Sequence, residues 1–322
     1  MRFIVGPLFM FVFGLVALPS ASLAIIDMNR YHQTYEVDDI LQTYAQRSPE
    51  LVRYTLLGTS TQGRPIGFAE VSLPSSYPKK QFFFNGTHHG DEKASTEAIL
   101  GLLKYLVENA QSPEVRNVLE HSSIVLMPMV NPDGHFVNSR LNAEGFDLNR
   151  DYDSPGKTDP FLSKESGLIR DLLRMRSFDA AIAYHSGMEG VLWPWGFTNK
   201  PNAQEGLFQS LSRTVADSMG FTFFAQSYNS YHTLGEFIDY AYLQFGTLAL
   251  TVEVANERAP KASDLGRIVE RSVEGALSFI KVALLPETRS IATIKGRMSN
   301  QEAFELTSNV PSSRTIPRKL TN

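Results

Sequence analysis

The sequence predicts an α/β protein: one mixed, mostly parallel, twisted sheet with helices on both faces, in a single domain. Two observations predict it. Short apolar runs at 82–84, 180–184 and 248–254 are the length of buried strands. Amphipathic helical repeats lie between them, and strands alternating with helices build a sheet covered on both sides. No internal repeat and no interior linker divides the 322 residues.

Taken in order, Val37, Ile40, Leu41 and Tyr44 recur at helical spacing. Strands are expected at 52–57 and 66–73, joined through a turn with Gly58, Gly63 and Pro65 as a β-hairpin. The strand at 81–86 runs into Thr87-His88-His89-Gly90-Asp91-Glu92, and a helix is expected from about Glu92, with Ile99, Leu102, Leu103 and Leu106 on one face. A strand at 123–129 meets a turn signal, Asn131-Pro132-Asp133-Gly134. Then come a helix at 163–176, a strand at 180–184 ending in His185, a helix near 203–218, a strand at 248–254 and a long amphipathic helix at 262–284.

Composition bounds the function. Hydrophobic residues make up 43% and charged residues 20%, ordinary globular values. Net charge is −4 with both signs dispersed, which gives no basic footprint for nucleic acid. Within residues 1–24 Arg2 is the only charge; an apolar run to Leu18, Pro19 and a small-residue end at Ser22-Leu23-Ala24 read as a secretory signal peptide. An uncleaved anchor is the weaker alternative, since residues 3–26 carry no charge. Export to the periplasm or the exterior is therefore expected, with no stable membrane association after cleavage. The absence of cysteine excludes disulfides and a lipid-anchored lipobox. Residues 25–285 are expected to form the domain and 286–322, rich in Ser, Thr and Arg, a partly ordered tail.

In open α/β sheets ligands gather at the carboxyl ends of the strands. His89, His185 and Glu253 each lie at or just beyond such an end, so three chemically capable residues converge on one edge. His89 and Glu92 offer an imidazole and a carboxylate from one compact turn, a pairing that suits zinc. His88 and Asp91 offer the same spacing one residue earlier, so local spacing leaves the register open. Glu253 sits in an otherwise apolar and β-branched strand, where a carboxylate is costly unless paired or functional.

The order of further motifs resembles the zinc metallocarboxypeptidases of the carboxypeptidase A family. The resemblance spans roughly residues 30–284. It rests on His89-Gly90-Asp91-Glu92, Asn131-Pro132-Asp133-Gly134, Arg140 with Asn142, Gly145 to Arg150, His185-Ser186-Gly187, Trp193 to Gly196, Tyr231 with Gly235 and Asp239, and Thr251-Val252-Glu253. It implies one zinc ion held by His89, Glu92 and His185, with Asp147 hydrogen-bonding a ligand histidine. It implies Glu253 as general base to a zinc-activated water and Arg140 as stabiliser of the oxyanion. Asn149 and Arg150 would clamp the substrate's terminal carboxylate, and Tyr231, preferred over Tyr228, would close over it. Gly196 and Ile238 would bound the specificity pocket, with Glu236 beside them where a glycine is common. The implied activity is removal of single C-terminal residues from peptides by a monomer, with a broad or hydrophobic preference that tolerates basic residues. The alternatives are a peptidoglycan stem-peptide carboxypeptidase of the same fold and an inactive peptide-binding homologue. An N-terminal inhibitory prodomain and a complete C-terminal β-sandwich, both found in relatives, are not expected.

Overall fold

The computed structural model describes residues 26–286 and 288. The expected signal peptide at 1–24 lies outside the described residues, as does the expected tail at 286–322 apart from those two positions. The first half runs α1 (Thr34–Arg47), β1 (Val52–Thr59), β2 (Pro65–Val71), β3 (Lys80–Gly86), α2 (Ala94–Glu108), α3 (Pro113–His121), β4 (Ser122–Met127), α4 (Pro132–Val137) and a 3-10 turn (Leu148–Arg150). The second half runs α5 (Lys164–Met175), β5 (Ala180–His185), β6 (Met188–Trp193), α6 (Glu205–Met219), β7 (Phe224–Gln226), α7 (Ser227–Ser230), α8 (Phe237–Phe245), β8 (Leu248–Ala255), a 3-10 turn (Ala262–Asp264) and α9 (Leu265–Leu284).

The strands form one eight-stranded sheet in the order β1-β2-β4-β3-β5-β8-β6-β7. The central four, β4, β3, β5 and β8, are mutually parallel, while β1, β2 and β6 add antiparallel pairings. Side-chain alternation divides the core. Phe82 and Phe84 join the apolar cluster shared with α1, α2, α6 and α9, whereas Phe83 joins the cluster shared with α5 and α8. Burial on both faces explains why these strands read as continuous apolar runs. Among the described residues no helix is long and apolar enough to cross a membrane.

Chain order dictates where a site can form. The chain leaves β3 to build β4 on one side, then returns to build β5 on the other. The carboxyl ends of β3 and β5 therefore flank a point where the strand order reverses, the crevice in which open α/β sheets bind ligands.

Several local expectations are corrected. Asn131-Pro132-Asp133-Gly134 is not an isolated turn but the start of α4: Asn131 caps it by accepting from Gly134 N at 2.9 Å, and Pro132 takes the first helical position. The helix expected from Glu92 begins at Ala94, because Glu92 turns inward. The strand at 123–129 ends at Met127, and the helix at 262–284 begins as a 3-10 turn. The elements α3, β6, β7, α7 and α8 were not anticipated, nor was the 3-10 turn at 148–150. For α3 the signal was present, as Ser112 accepts from Val115 N and Pro113 follows it.

Candidate active site

At the end of β3 the backbone takes a left-handed turn at Thr87, φ 58°. The turn is anchored on the first turn of α2: Thr87 N donates to Ser95 Oγ at 2.9 Å, and its hydroxyl meets Thr96 Oγ1 at 2.6 Å. The two histidines that follow point to different places. His88 Nε2 meets the Tyr152 hydroxyl at 2.9 Å, and Asp91 pairs with Arg258 at 3.1 Å. His89 Nδ1 instead lies 2.8 Å from Glu92 Oε1. From the end of β5, His185 Nδ1 lies 2.8 Å from Glu92 Oε2 and 3.3 Å from His89 Nδ1. The register left open by spacing is thus resolved in favour of His89 and Glu92.

These three buried residues are the group able to hold a metal ion among those described. Their chemistry fits zinc. Asp147 Oδ1 accepts from His89 Nε2 at 3.0 Å, so the ring proton sits there and Nδ1 keeps its lone pair. That lone pair, the carboxylate and the second imidazole face one another in a dry space, an arrangement a cation relieves. One ligand atom from each of the three residues lies within 4.8 Å of the other two.

Around the triad, Asp147 also accepts from Arg140 Nε at 3.0 Å and Nη2 at 2.8 Å. This pairing leaves Arg140 Nη1 directed at the triad, 3.1 Å from His89 Nδ1. Burial opposes ionisation of Asp147, but the bonds from His89 and the charge of Arg140 outweigh it and hold its pKa well below the ordinary range. Glu253 is the cross-strand partner of His185 in the β5–β8 ladder. It is buried and its Oε2 has no hydrogen-bond partner. Burial, reinforced by the Glu92 carboxylate, pushes its pKa up to about 8.

The remaining predicted residues form a rim beside this centre. Asn149 Oδ1 accepts from Phe237 N at 2.9 Å, which turns Nδ2 toward His185 Nε2, 3.5 Å away. Arg150 Nη1 donates to Asn149 O at 2.6 Å, and its guanidinium lies 5.6 Å from the ring centroid of Tyr231. Tyr231 is 44% exposed, while Tyr228 pairs with His232 instead. Gly235, at φ +79°, lets the chain pass Arg150: a Cβ there would lie 2.4 Å from Arg150 O. Ile238 is buried in the first turn of α8, in the cluster containing Phe83 and Phe237. Gly196 and Glu236 are in contact range, since a Cβ on Gly196 would lie 2.6 Å from Glu236 Oε2. Asn142 stands apart as a loop staple, accepting from Glu144 N and Phe146 N and donating to Glu165.

A family model described as zinc carboxypeptidase matches residues 37–275. The chain belongs to the zinc carboxypeptidase family. Among curated relatives of this chain, carboxypeptidase SOL1 of Arabidopsis thaliana is 25% identical over 279 residues, covering 79% of this chain and 56% of that protein. Carboxypeptidase D of Homo sapiens is 25% identical over 289 residues, covering 78% of this chain and 21% of that protein. The chain thus spans about half of the first relative and about a fifth of the second. Thrombin activatable fibrinolysis inhibitor superposes with a TM-score of 0.75 at 18% identity, over 80% of this chain and 75% of that one. Carboxypeptidase A from Helicoverpa armigera gives 0.74 at 19% identity, over 82% and 76%. At such identities the structural likeness is one of fold.

Two features of the site were not read from the sequence. Both Asp239 oxygens accept from Gly196 N, each at 3.0 Å, bracing the wall beside Glu236. The signal was available, a carboxylate in the apolar run Phe237 to Tyr242, the same kind of anomaly that marks Glu253. The second is the approach of Glu236 Oε1 to Arg150 Nη1, 3.8 Å. It joins residues 86 positions apart, and no local pattern announces it.

Proposed function

We propose that this chain is a zinc-dependent carboxypeptidase that hydrolyses the C-terminal peptide bond of peptides bearing a free carboxylate. The observation that carries the reading is the clamp beside the metal triad: the Asn149 amide lies 3.5 Å from His185 Nε2, and Arg150 Nη1 donates to the Asn149 carbonyl oxygen. A fixed cation beside the reacting centre selects chain ends over chain interiors.

Zinc, when held by His89, Glu92 and His185, polarises the scissile carbonyl and acidifies a water. Glu253 takes a proton from the attacking water. The water oxygen bonds to the carbonyl carbon, the C–N bond breaks, and Glu253 delivers the proton to the leaving nitrogen. A carboxyl group pushed up to about 8 exchanges protons easily near neutrality. Arg140 Nη1 meets the negative charge developing on the carbonyl oxygen. Asp147 orients both Arg140 and His89 through the bonds described above. Asn149 and Arg150 bind the terminal carboxylate, and exposed Tyr231 closes over it. Gly196, Ile238 and Glu236 bound the pocket for the terminal side chain, which we read as preferring apolar residues and tolerating basic ones.

We also read residues 1–24 as a cleaved signal peptide, 25–285 as the catalytic domain and 286–322 as a tail. On that reading the enzyme is a monomer exported to the periplasm or the exterior. The support is the apolar, nearly uncharged leader and its small-residue end.

The test is a panel of peptides varied at the last residue, with free and amidated C-termini, assayed with chelator and with zinc restored. Release of single residues from free C-termini, abolished by chelator and recovered with zinc, is expected. Cleavage of amidated peptides at equal rate overturns the clamp. Turnover of muropeptides with none of L-peptides transfers the activity to cell-wall stem peptides.

A further inference from the structure

We propose that Glu236 and Arg150 form an exchangeable ion pair, which makes the choice between cationic and apolar C-terminal residues depend on pH. This rests on Arg150 acting as the carboxylate clamp proposed above.

Glu236 is 3% exposed and caps no helix N–H through its side chain, although it stands at the N-terminus of α8. Its carboxylate has three polar neighbours: Ser227 Oγ donates to Oε2 at 2.9 Å, the Thr233 hydroxyl lies against it, and Arg150 Nη1 lies 3.8 Å from Oε1. The same oxygen, Oε2, faces the α-carbon of Gly196, where no side chain fits between them. The carboxylate thus lies between the clamp arginine and the pocket wall. Charged and titratable groups from every neighbouring element face it. Arg150 comes from the 3-10 turn at 148–150, Tyr231 from the loop after α7, and Asp239 from α8 itself. Glu253 on β8 and His89 after β3 act from farther off. Asp239 is engaged by Gly196 N, so Arg150 is the cation that balances Glu236.

Counting charges gives the consequence. Before substrate arrives, Arg150 and Glu236 sum to zero. A substrate carboxylate on Arg150 adds one negative charge beside the buried Glu236. A C-terminal Lys or Arg brings its own cation, which pairs with Glu236 and restores neutrality. A C-terminal Leu or Phe brings none, so Glu236 must take up one proton, which stays on its carboxyl oxygen while the complex lasts. Burial already raises this carboxyl above its ordinary range, with Arg150 opposing. Binding that takes up one proton weakens by up to about tenfold per pH unit above the group's pKa. Apolar substrates carry that penalty and cationic ones do not.

The test compares kcat/KM of the zinc-loaded full chain on two blocked dipeptides, one ending in Lys and one in Leu, from pH 5.5 to 8.5. Taking the ratio cancels ionisations common to both, including those of Glu253 and the metal site. The expected Lys/Leu ratio rises by about tenfold or more across the range. In Glu236→Gln the ratio is expected to be lower and independent of pH. Turnover of both substrates with a wild-type ratio constant within about twofold overturns the exchange alone, whatever the variant does. A pH-dependent ratio that survives unchanged in a folded Glu236→Gln assigns the proton elsewhere and also overturns it. Turnover of neither substrate overturns the carboxypeptidase reading, and this inference with it.

Discussion

Two carboxylates, one half-buried and one buried, sit at opposite ends of the same sheet and have opposite fates. Glu70, on β2 near the amino ends of the central strands, receives both arms of Arg176, at 3.0 and 3.1 Å, and the Ser123 hydroxyl. Burial alone would raise its pKa, but these partners outweigh it and the group stays below its ordinary value. Glu253, at the carboxyl end of β8, has an oxygen with no partner and is pushed up to about 8. The amino end of the sheet satisfies its charge and gains rigidity. The carboxyl end leaves a charge unsatisfied and gains a group able to trade protons. Location in the fold does not make a carboxylate reactive; the lack of a committed partner does.

Breaking this comparison from its reactive side should give the largest effect. Glu253→Gln is expected to lower kcat by roughly 10²–10⁴-fold, the usual loss for a general base. Its thermal midpoint should stay level or rise, since an unpartnered buried acid is removed. A kcat near wild type would remove Glu253 from the mechanism. The opposite substitution, Glu70→Gln, should leave kcat/KM within about twofold, while lowering stability in urea by about 2–3 kcal/mol, because Arg176 loses its charged partner. An activity loss without a stability loss would erase the distinction between the two ends.

A third buried group sharpens the rule with a pH readout. His135 in α4 meets the Thr34 hydroxyl at 2.7 Å through Nδ1, and its Nε2 has no partner. Burial, with a lesser contribution from Lys93, lowers its pKa to about 3. The unfolded chain therefore binds this proton first. Its contribution is fully present above pH ~6.5 and declines as pH falls toward ~3, by up to about 1.4 kcal/mol per unit. Urea unfolding of wild type and His135→Gln at pH 7 and pH 4 should differ in their acid loss by roughly 3 kcal/mol, with wild type losing more. Equal losses would show that His135 does not titrate on unfolding.

How far the sequence speaks depends on the range of the interaction. Strands β3, β5 and β8 were legible because burial on both faces leaves an uninterrupted apolar run, and His89, His185 and Glu253 were legible because they end or interrupt such runs. The ligand register was not legible from spacing, because the choice between His88 and His89 depends on the Thr87 turn and on Tyr152, 64 residues downstream of His88. Strand β6 escaped because Met188, Glu189 and Gly190 open it with a weak pattern, and β7 because it spans three residues. The short, nearly continuous apolar run of α8 shows no helical face. The pairing of Glu236 with Arg150 depends on packing between two distant loops, which periodicity does not encode.

The register of His185 opposite Glu253 has a consequence for how the molecule can be altered. Both are fixed to the same rung of one backbone ladder, where spacing is set by sheet geometry and not by side-chain choice. The residues proposed to read the substrate, Asn149, Arg150 and Tyr231, stand on a short turn and a loop. An engineer can rewrite the loop of Tyr231 to seek a new substrate while the ladder keeps His185 opposite Glu253; the turn of Asn149 and Arg150 is less free, because the Asp147 that caps it also holds His89.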